Sequence, residues 1–433
     1  MDPSDLARPT PAQVRWQDFE LGVIFHYDLP LFAPGGWGPE TRHQTWDPNL
    51  FQPPQLDTDQ WLEAAAALGA SYAIFTATHH GGFLQWQSDA YDYGLRQSSW
   101  ADGKGDIVRD FVDSCRQRDI APGIYLSTMF NAHWGARHGR VGDDKDSPEQ
   151  RRYNQVCEQM VTELCSRYGP LCELWFDAGV LSPQEGGPDV LPIVDKYQPD
   201  CVFYHSRQRR DHRWIGNEDG VAGYPCWGRM TDLETSHIAH HKHHNLLHHG
   251  DANGDLWCPA MCDVPLRDHH WFWQPETEKD IETLSSLTEM YYNSVGCNCN
   301  LVLGVTPDTR GLVPEPDVRR LGELGRFVSE SFSHPLARTE ATGQTILLEL
   351  PESTRLDHVA IMEDITEGER IRAYRVEGQI GRHTWHQLVC GRAVGHKRIE
   401  MFRAREVHGI RLKVTNSSAT PRIRSLEAFS VET

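Results

Sequence analysis

The chain contains no apolar run near the roughly 18 residues that a membrane span needs. Neither G-x-G-x-x-G nor G-x-x-x-x-G-K-S/T follows its first apolar segment, so a nucleotide-binding sheet would lack its phosphate cradle. There is no C-x-x-C pair and no His-Glu-x-x-His. Basic residues are outnumbered, 42 Lys and Arg against 61 Asp and Glu, giving a formal charge of −19. Such a chain repels phosphate backbones and anionic lipid, so nucleic-acid and membrane partners are set aside. The first residues, MDPSDLARPTPAQVRWQDF, show no basic start followed by an apolar core. The chain is therefore expected in the cytoplasm, or as a secreted or periplasmic protein whose signal has been removed. The 11 cysteines are odd in number and follow no disulfide rhythm, and Cys297 and Cys299 are too close to bridge well. Free, buried thiols are the expectation, which suits a reducing compartment.

What is present reads as globular: 39% hydrophobic, 10% aromatic and 24% charged residues. A length of 433 residues suggests two or three domains, or one large barrel with a smaller module. Tryptophan is frequent, at 14, and indole faces are common platforms for sugar rings, although packing accounts for most of them. His237, His240, His241, His243, His244, His248 and His249 crowd one stretch. A solvated surface insertion is the favoured reading of that cluster. A metal site is the alternative, since His240 and His244 stand at i and i+4.

Short apolar runs alternate with amphipathic ones through the first 330 or so residues. Phe19–Asp28, Ser71–His80, Ala121–Thr128, Leu171–Ala178, Cys201–Arg207 and Leu301–Pro307 read as strands. They are apolar throughout, as parallel strands buried on both faces are. Between them, Trp61, Ala64, Ala65 and Leu68 fall at helical spacing behind Asp57 and Asp59, with Gly69 as the stop. Ile107, Val108, Phe111, Val112 and Cys115 make a second stripe behind Asp106, and Glu149–Arg167 is a third helix. The pattern predicts an α/β protein built as a (β/α)8-type TIM barrel. His26, His79, His80, Tyr125, Asp177 and His205 all fall at or just past strand ends, the rim where such barrels build their sites. After about residue 336 the helical period vanishes. Short β-rich runs follow, predicting a C-terminal β-sandwich over 337–433 beside a catalytic barrel over 1–336.

Asp177 stands in ELWFDAG and Glu218 in RWIGNEDG. An Asp at a strand end is often a helix N-cap, but here a Pro/Gly-rich loop follows. Two carboxylates on a barrel rim suit glycoside hydrolysis, one attacking or stabilising the anomeric carbon and the other protonating the leaving oxygen. His79 and His80 could bind a metal or hydrogen-bond the hydroxyls of a sugar. His26 in FHYD lacks the His-x-His of metal-dependent barrels, which favours the sugar.

The segments VIFHYDLPLF, ASYAIFTATHHGGFLQW, GKGDIV, GIYLS and ELWFDAG, in this order, resemble the α-L-fucosidases of glycoside hydrolase family twenty-nine. NLVLGVTPDTRGLVPEPDVRRLGELGRF resembles that family's barrel-closing segment. HVAIMEDITEGERIRAYRVEG and GHKRIEMF resemble its jelly-roll, carbohydrate-binding-like sandwich, so the likeness spans the chain. RWIGNEDG is similar to the subgroup selective for α-1,3/1,4-linked fucose on Lewis-type glycans. The resemblance implies a retaining exo-α-L-fucosidase working by double displacement, without a cofactor or metal, on a fucosylated oligosaccharide or glycoprotein glycan. It implies Asp177 as nucleophile and Glu218 as acid/base. It also implies a fucose pocket of His26, His79, His80 and Tyr125, with Trp37, Trp86, Trp175 and Trp227 as walls and Arg267 at its side. Three positions depart from the family pattern: Gly36, Gly81 and Met261 each stand where an acid is usual.

Overall fold

The computed structural model describes residues 7–231, 240–381 and 383–431. Eight strands form a parallel sheet curled into a nearly closed barrel: β1 Leu21–Phe25, β2 Tyr72–Thr78, β3 Ala121–Leu126, β4 Glu173–Val180, β5 Val202–Ser206, β6 Arg213–Trp214, β7 Ala260–Pro265 and β8 Cys299–Val305. Their spatial order is β5-β4-β3-β2-β1-β8-β7-β6. No ladder between β5 and β6 exists among the described residues. Asp211 bridges the seam, its carboxylate accepting the Phe203 N–H at 2.8 Å while its own N–H donates to the Phe203 carbonyl at 3.0 Å.

Strands β6 and β7 escape the sequence reading for physical reasons. The first is two residues long, too short for any period. The second, AMCDVP, is interrupted by Asp263 and ended by a proline.

Both faces of the barrel strands are apolar because each faces a different core. Ile24, Ile74, Tyr125, Trp175, Val202, Met261 and Val302 pack together inside the barrel. Val23, Phe25, Phe75, Leu174, Phe176, Phe203 and Leu303 face outward, into the larger core under the helices. Helices α1 Pro11–Phe19, α2 Thr58–Leu68, α3 Ile107–Gln117, α4 Pro148–Arg167, α5 Leu191–Tyr197, α6 His240–His249, α7 Leu284–Asn293 and α8 Glu315–Phe332 complete this part of the chain. Asp57 caps α2, Gly69 ends it in the left-handed region at φ 81°, and Asp106 caps α3. The lower end of the barrel is closed by a buried polar group. The Glu173 carboxylate accepts the Trp16 indole N–H at 2.8 Å and is hydrogen-bonded with His212 at 2.8 Å.

The strands of the C-terminal part are β9 Ala337–Thr342, β10 Thr345–Glu363, β11 Ile371–Gly381, β12 Thr384–Gly391, β13 Arg398–Ser417 and β14 Arg422–Phe429. They form one antiparallel sheet in the order β9-β14-β10-β13-β11-β12. The separate runs expected at 345–350 and 358–362 are one long strand. Its pairing with β13 slips between Glu349 and Thr354, and this irregularity lets the sheet fold over itself. One half of β10 pairs with β14 and the other lies level with the β11-paired half of β13, so the sheet becomes a sandwich. Ile346, Leu356, Ile361, Val376, Ile410, Leu412 and Leu426 fill it.

Polar contacts tie the sandwich to the barrel. Glu20 accepts from Lys397 at 2.5 Å and is hydrogen-bonded with His396 at 3.0 Å. Buried Glu369 accepts from the Gly228 N–H and from the Asn298 amide.

Candidate active site

Strand parity builds the site. Side chains alternate along a strand, so Asp177 continues the inward row of Trp175, His26 that of Ile24, and Asp263 that of Met261. These rows end at the C-terminal rim in a cavity with two lobes. The inner lobe, about 180 Å³, is lined by His26, Trp37, Arg42, His79, His80, Tyr125 and Trp271. The outer lobe, about 270 Å³, is lined by Met129, Phe130, His138, Tyr204, His205, Arg210, Trp214 and Leu247. Trp175, Asp177, Glu218 and Asp263 belong to both.

Asp177 is not a helix cap; it sits within β4. His80 Nε2 lies 3.0 Å from its Oδ2. Burial works to raise its pKa, but hydrogen bonds and charge from His80, with help from Tyr125 and His26, outweigh that and hold the carboxyl below its ordinary range. Desolvation pushes His26 down to about 3 and His79 well below the usual imidazole range, so both stay neutral at physiological pH. The Tyr125 phenol stays protonated, raised first by burial and then by the charge of Asp177. The neutral imidazoles of His26 and His79 and the Tyr125 phenol, with His79 stacked on His80 at 4.1 Å and on Tyr125 at 5.6 Å, form a hydrogen-bonding wall for hydroxyl groups.

Glu218 accepts the Trp271 indole N–H through Oε2 at 2.9 Å. A third carboxyl, Asp263, accepts the Trp214 indole N–H at 2.6 Å. Its pKa is raised well above the ordinary value by burial first and then by the charge of Glu218.

His26, Trp37, His79, His80, Tyr125, Trp175, Asp177 and Glu218 are thus brought to one cavity, while three residues expected with them lie elsewhere. Trp86 is buried in the outer core, its indole N–H donated to Glu163 at 2.8 Å. Trp227 lies at the sandwich, under the Arg372 guanidinium at 4.9 Å. Arg267 is fully engaged by Asp317, with Nη2 to Oδ2 at 2.6 Å, and by Thr277. The segment VPLRDHHWFW does reach the site, but through Trp271. The resemblance points to the arginine of this segment, whereas the indole four residues later is the contact. Asp263 was missed because its neighbours, Met261 and Cys262, read as plain core. A carboxylate two residues after an inward Met is the available signal.

The departing positions have structural correlates. Met261 is fully buried inside the barrel beneath Asp263. A Cβ on Gly81 would stand 3.4 Å from the Gln44 carbonyl and 4.0 Å from Asp28 Oδ2. Burial has already raised Asp28 to about 7, so an acid at position 81 would crowd a second carboxyl against it. Gly36, at φ 68°, has no neighbour near its missing Cβ.

His79, His80 and Asp177 each bring a potential ligand atom within 4.8 Å of the others, a three-donor set that zinc accepts. Of the His-rich stretch, His237 and the side chains of His240, His241 and His243 lie outside the described residues. His249 Nδ1 is hydrogen-bonded with the Pro225 carbonyl at 3.0 Å, and Leu247 of α6 walls the outer lobe.

A family model described as alpha-L-fucosidase matches residues 8–331. The chain is 30% identical to a putative alpha-L-fucosidase 1 of Oryza sativa subsp. japonica, over 98% of this chain and 85% of that one. It is 28% identical to alpha-L-fucosidase 1 of Arabidopsis thaliana, over 98% and 88%. The crystal structure of a putative alpha-L-fucosidase from Bacteroides thetaiotaomicron superposes with a TM-score of 0.93 at 43% identity, over 99% of this chain and 100% of the other.

Proposed function

This chain belongs to the α-L-fucosidase family of glycoside hydrolases, and from that premise we propose that it releases terminal α-1,3- or α-1,4-linked L-fucose from glycans with retention of configuration. The observation that carries the reading is the pairing of differently held carboxyls across one cavity. Asp177 is kept ionised by His80 and Tyr125, while Glu218 is held by Trp271 through a single oxygen. Fucose occupies the inner lobe, its hydroxyls against His26, His79, His80 and Tyr125. Asp177 attacks the anomeric carbon, and the glycosidic oxygen leaves with the proton of Glu218. A fucosyl ester on Asp177 results. After the leaving group departs, Glu218 deprotonates the water that attacks the ester and frees fucose.

The sandwich over 337–433 acts as an accessory domain to the barrel over 1–336. Among the described residues, no lining of either lobe comes from it. The test is product analysis on a panel of fucosylated oligosaccharides, with the anomer of newly released fucose followed by NMR. Release of the β-anomer first, or cleavage restricted to α-1,2 linkages, would overturn the corresponding part of the proposal.

A second reading has one observation in its favour, the three-donor set of His79, His80 and Asp177. On that reading a bound metal activates water. Activity lost on chelation and restored by zinc would establish it.

A further inference from the structure

Four arginines stand in the stretch RQRRDHR, which runs into β6, and three of them are engaged. Arg207 meets Glu185 at 3.2 Å, Arg209 meets Asp211 and Asp195, and Arg213 donates to the carbonyls of Leu247 and Cys258. Arg210 is 3% exposed and lines the outer lobe, yet its Nε and Nη2 have no acceptor among the described residues. A guanidinium is never deprotonated in a protein, so this is a buried charge without a counter-ion among the described residues.

The carboxyls of the same cavity hydrogen-bond elsewhere: Asp177 with His80, Glu218 to Trp271 and Asp263 to Trp214. Nε and Nη2 form the side edge of the guanidinium fork. In this molecule Arg267 uses that edge to hold Asp317, and Arg310 uses it to hold Asp308. Arg210 leaves that edge unfilled and covered, and the same guanidinium lines the outer lobe, where an oxyanion would supply the missing counter-charge.

We propose that Arg210 anchors an oxyanion on the leaving-group side of the substrate, so that the preferred glycan carries a carboxylate or a sulfate ester on a sugar near the fucosylated one. The proposal rests on the fucosidase reading, which places fucose in the inner lobe and the remainder of the glycan in the outer one. The carboxyls at the inner end of the cavity repel such a group and confine it to the Arg210 end. The chain as a whole is strongly acidic, at −19, so a preference for an anionic glycan cannot arise from overall attraction and must be local.

The test compares kcat/KM of the wild-type enzyme on a neutral Lewis-type oligosaccharide and on its sialylated and sulfated counterparts, with an aryl α-fucoside as a probe that carries no oxyanion. At least one charged glycan should exceed the neutral one by about tenfold, the worth of one charge-assisted pair. The two charged arms distinguish carboxylate from sulfate. In Arg210→Gln the charged-to-neutral ratio should collapse towards one, and Arg210→Lys, which keeps charge but not the fork, should fall between. Equal wild-type rates on charged and neutral glycans would overturn the proposal, whether or not the variants fold. A ratio unchanged in Arg210→Gln would do the same. Failure to cleave even the aryl fucoside would instead remove the fucosidase reading itself.

Discussion

Asp177 owes its charge to three neighbours rather than to solvent. Burial alone would protonate it; His80, Tyr125 and His26 reverse that. On the proposed role of Asp177 as nucleophile, Asp177→Ala should lower turnover by several orders of magnitude while leaving the fold intact, because covalent catalysis would be lost. Retention of more than about a tenth of wild-type kcat, far above the loss that covalent catalysis requires, would reject the assignment. The acid limb of the kcat/KM profile attributed to Asp177 should lie below the ordinary aspartate value of 3.8, since its pKa is lowered in the free enzyme. Glu218 makes a different demand. As the proposed acid it would matter most when the leaving group is poor, so Glu218→Ala should damage natural glycans far more than activated aryl fucosides. Azide should rescue that variant and yield a fucosyl azide of retained configuration. Equal losses on both substrate types, without rescue, would make Glu218 structural.

Elements position these residues through parity and through their docking. Above Glu173 at the lower end, β4 is apolar on both faces up to the rim, as β7 is up to Asp263, and there Asp177 and Asp263 take inward positions in place of core side chains. The sandwich docks through β13 and the residues before it, and Glu20 is the hinge of that contact. Burial would raise the Glu20 carboxyl, but the Lys397 ammonium and His396 bring it from 4.5 to about 2. A carboxyl lowered on folding stabilises fully above its unfolded pKa and loses that contribution as pH falls through the folded one. Glu20→Gln leaves Lys397 without its anion and should cost about 3 kcal/mol near neutrality. The gap between wild type and variant, read from urea melts, should narrow from about pH 5 down towards pH 3. A constant gap over that range would show that the pair contributes no linked stability.

For the whole molecule, the decisive question is what occupies the rim. A sugar held by neutral imidazoles needs no ion, so dialysis against a strong chelator should leave aryl-fucoside hydrolysis within about twofold of the untreated enzyme. A thousandfold loss, reversed by zinc, would turn the histidines from hydroxyl partners into ligands. The same enclosure explains the cysteines. Among the described residues none is bridged, and all but Cys172 and Cys390 are buried.

Local pattern carried much of this protein. Doubly apolar runs gave the parallel strands, Asp57, Asp106 and Gly69 gave helix limits, and the loss of helical period marked the change near residue 336. Strand-end position singled out His26, His79, His80, Tyr125 and Asp177, because parity and rim placement are properties of a few consecutive residues. Tertiary structure decided whatever depends on partners distant in sequence. Arg267 and Trp86 looked available, but Asp317 and Glu163 claim them from 50 and 77 residues away. Trp271 and Asp263 carry no local mark and become site residues only when β7 and the loop after it close against Glu218. Arg210 is one basic residue among four in sequence. Only the folded cavity shows that its neighbours are paired and that, among the described residues, it is not, because pairing depends on which charges the fold brings within reach.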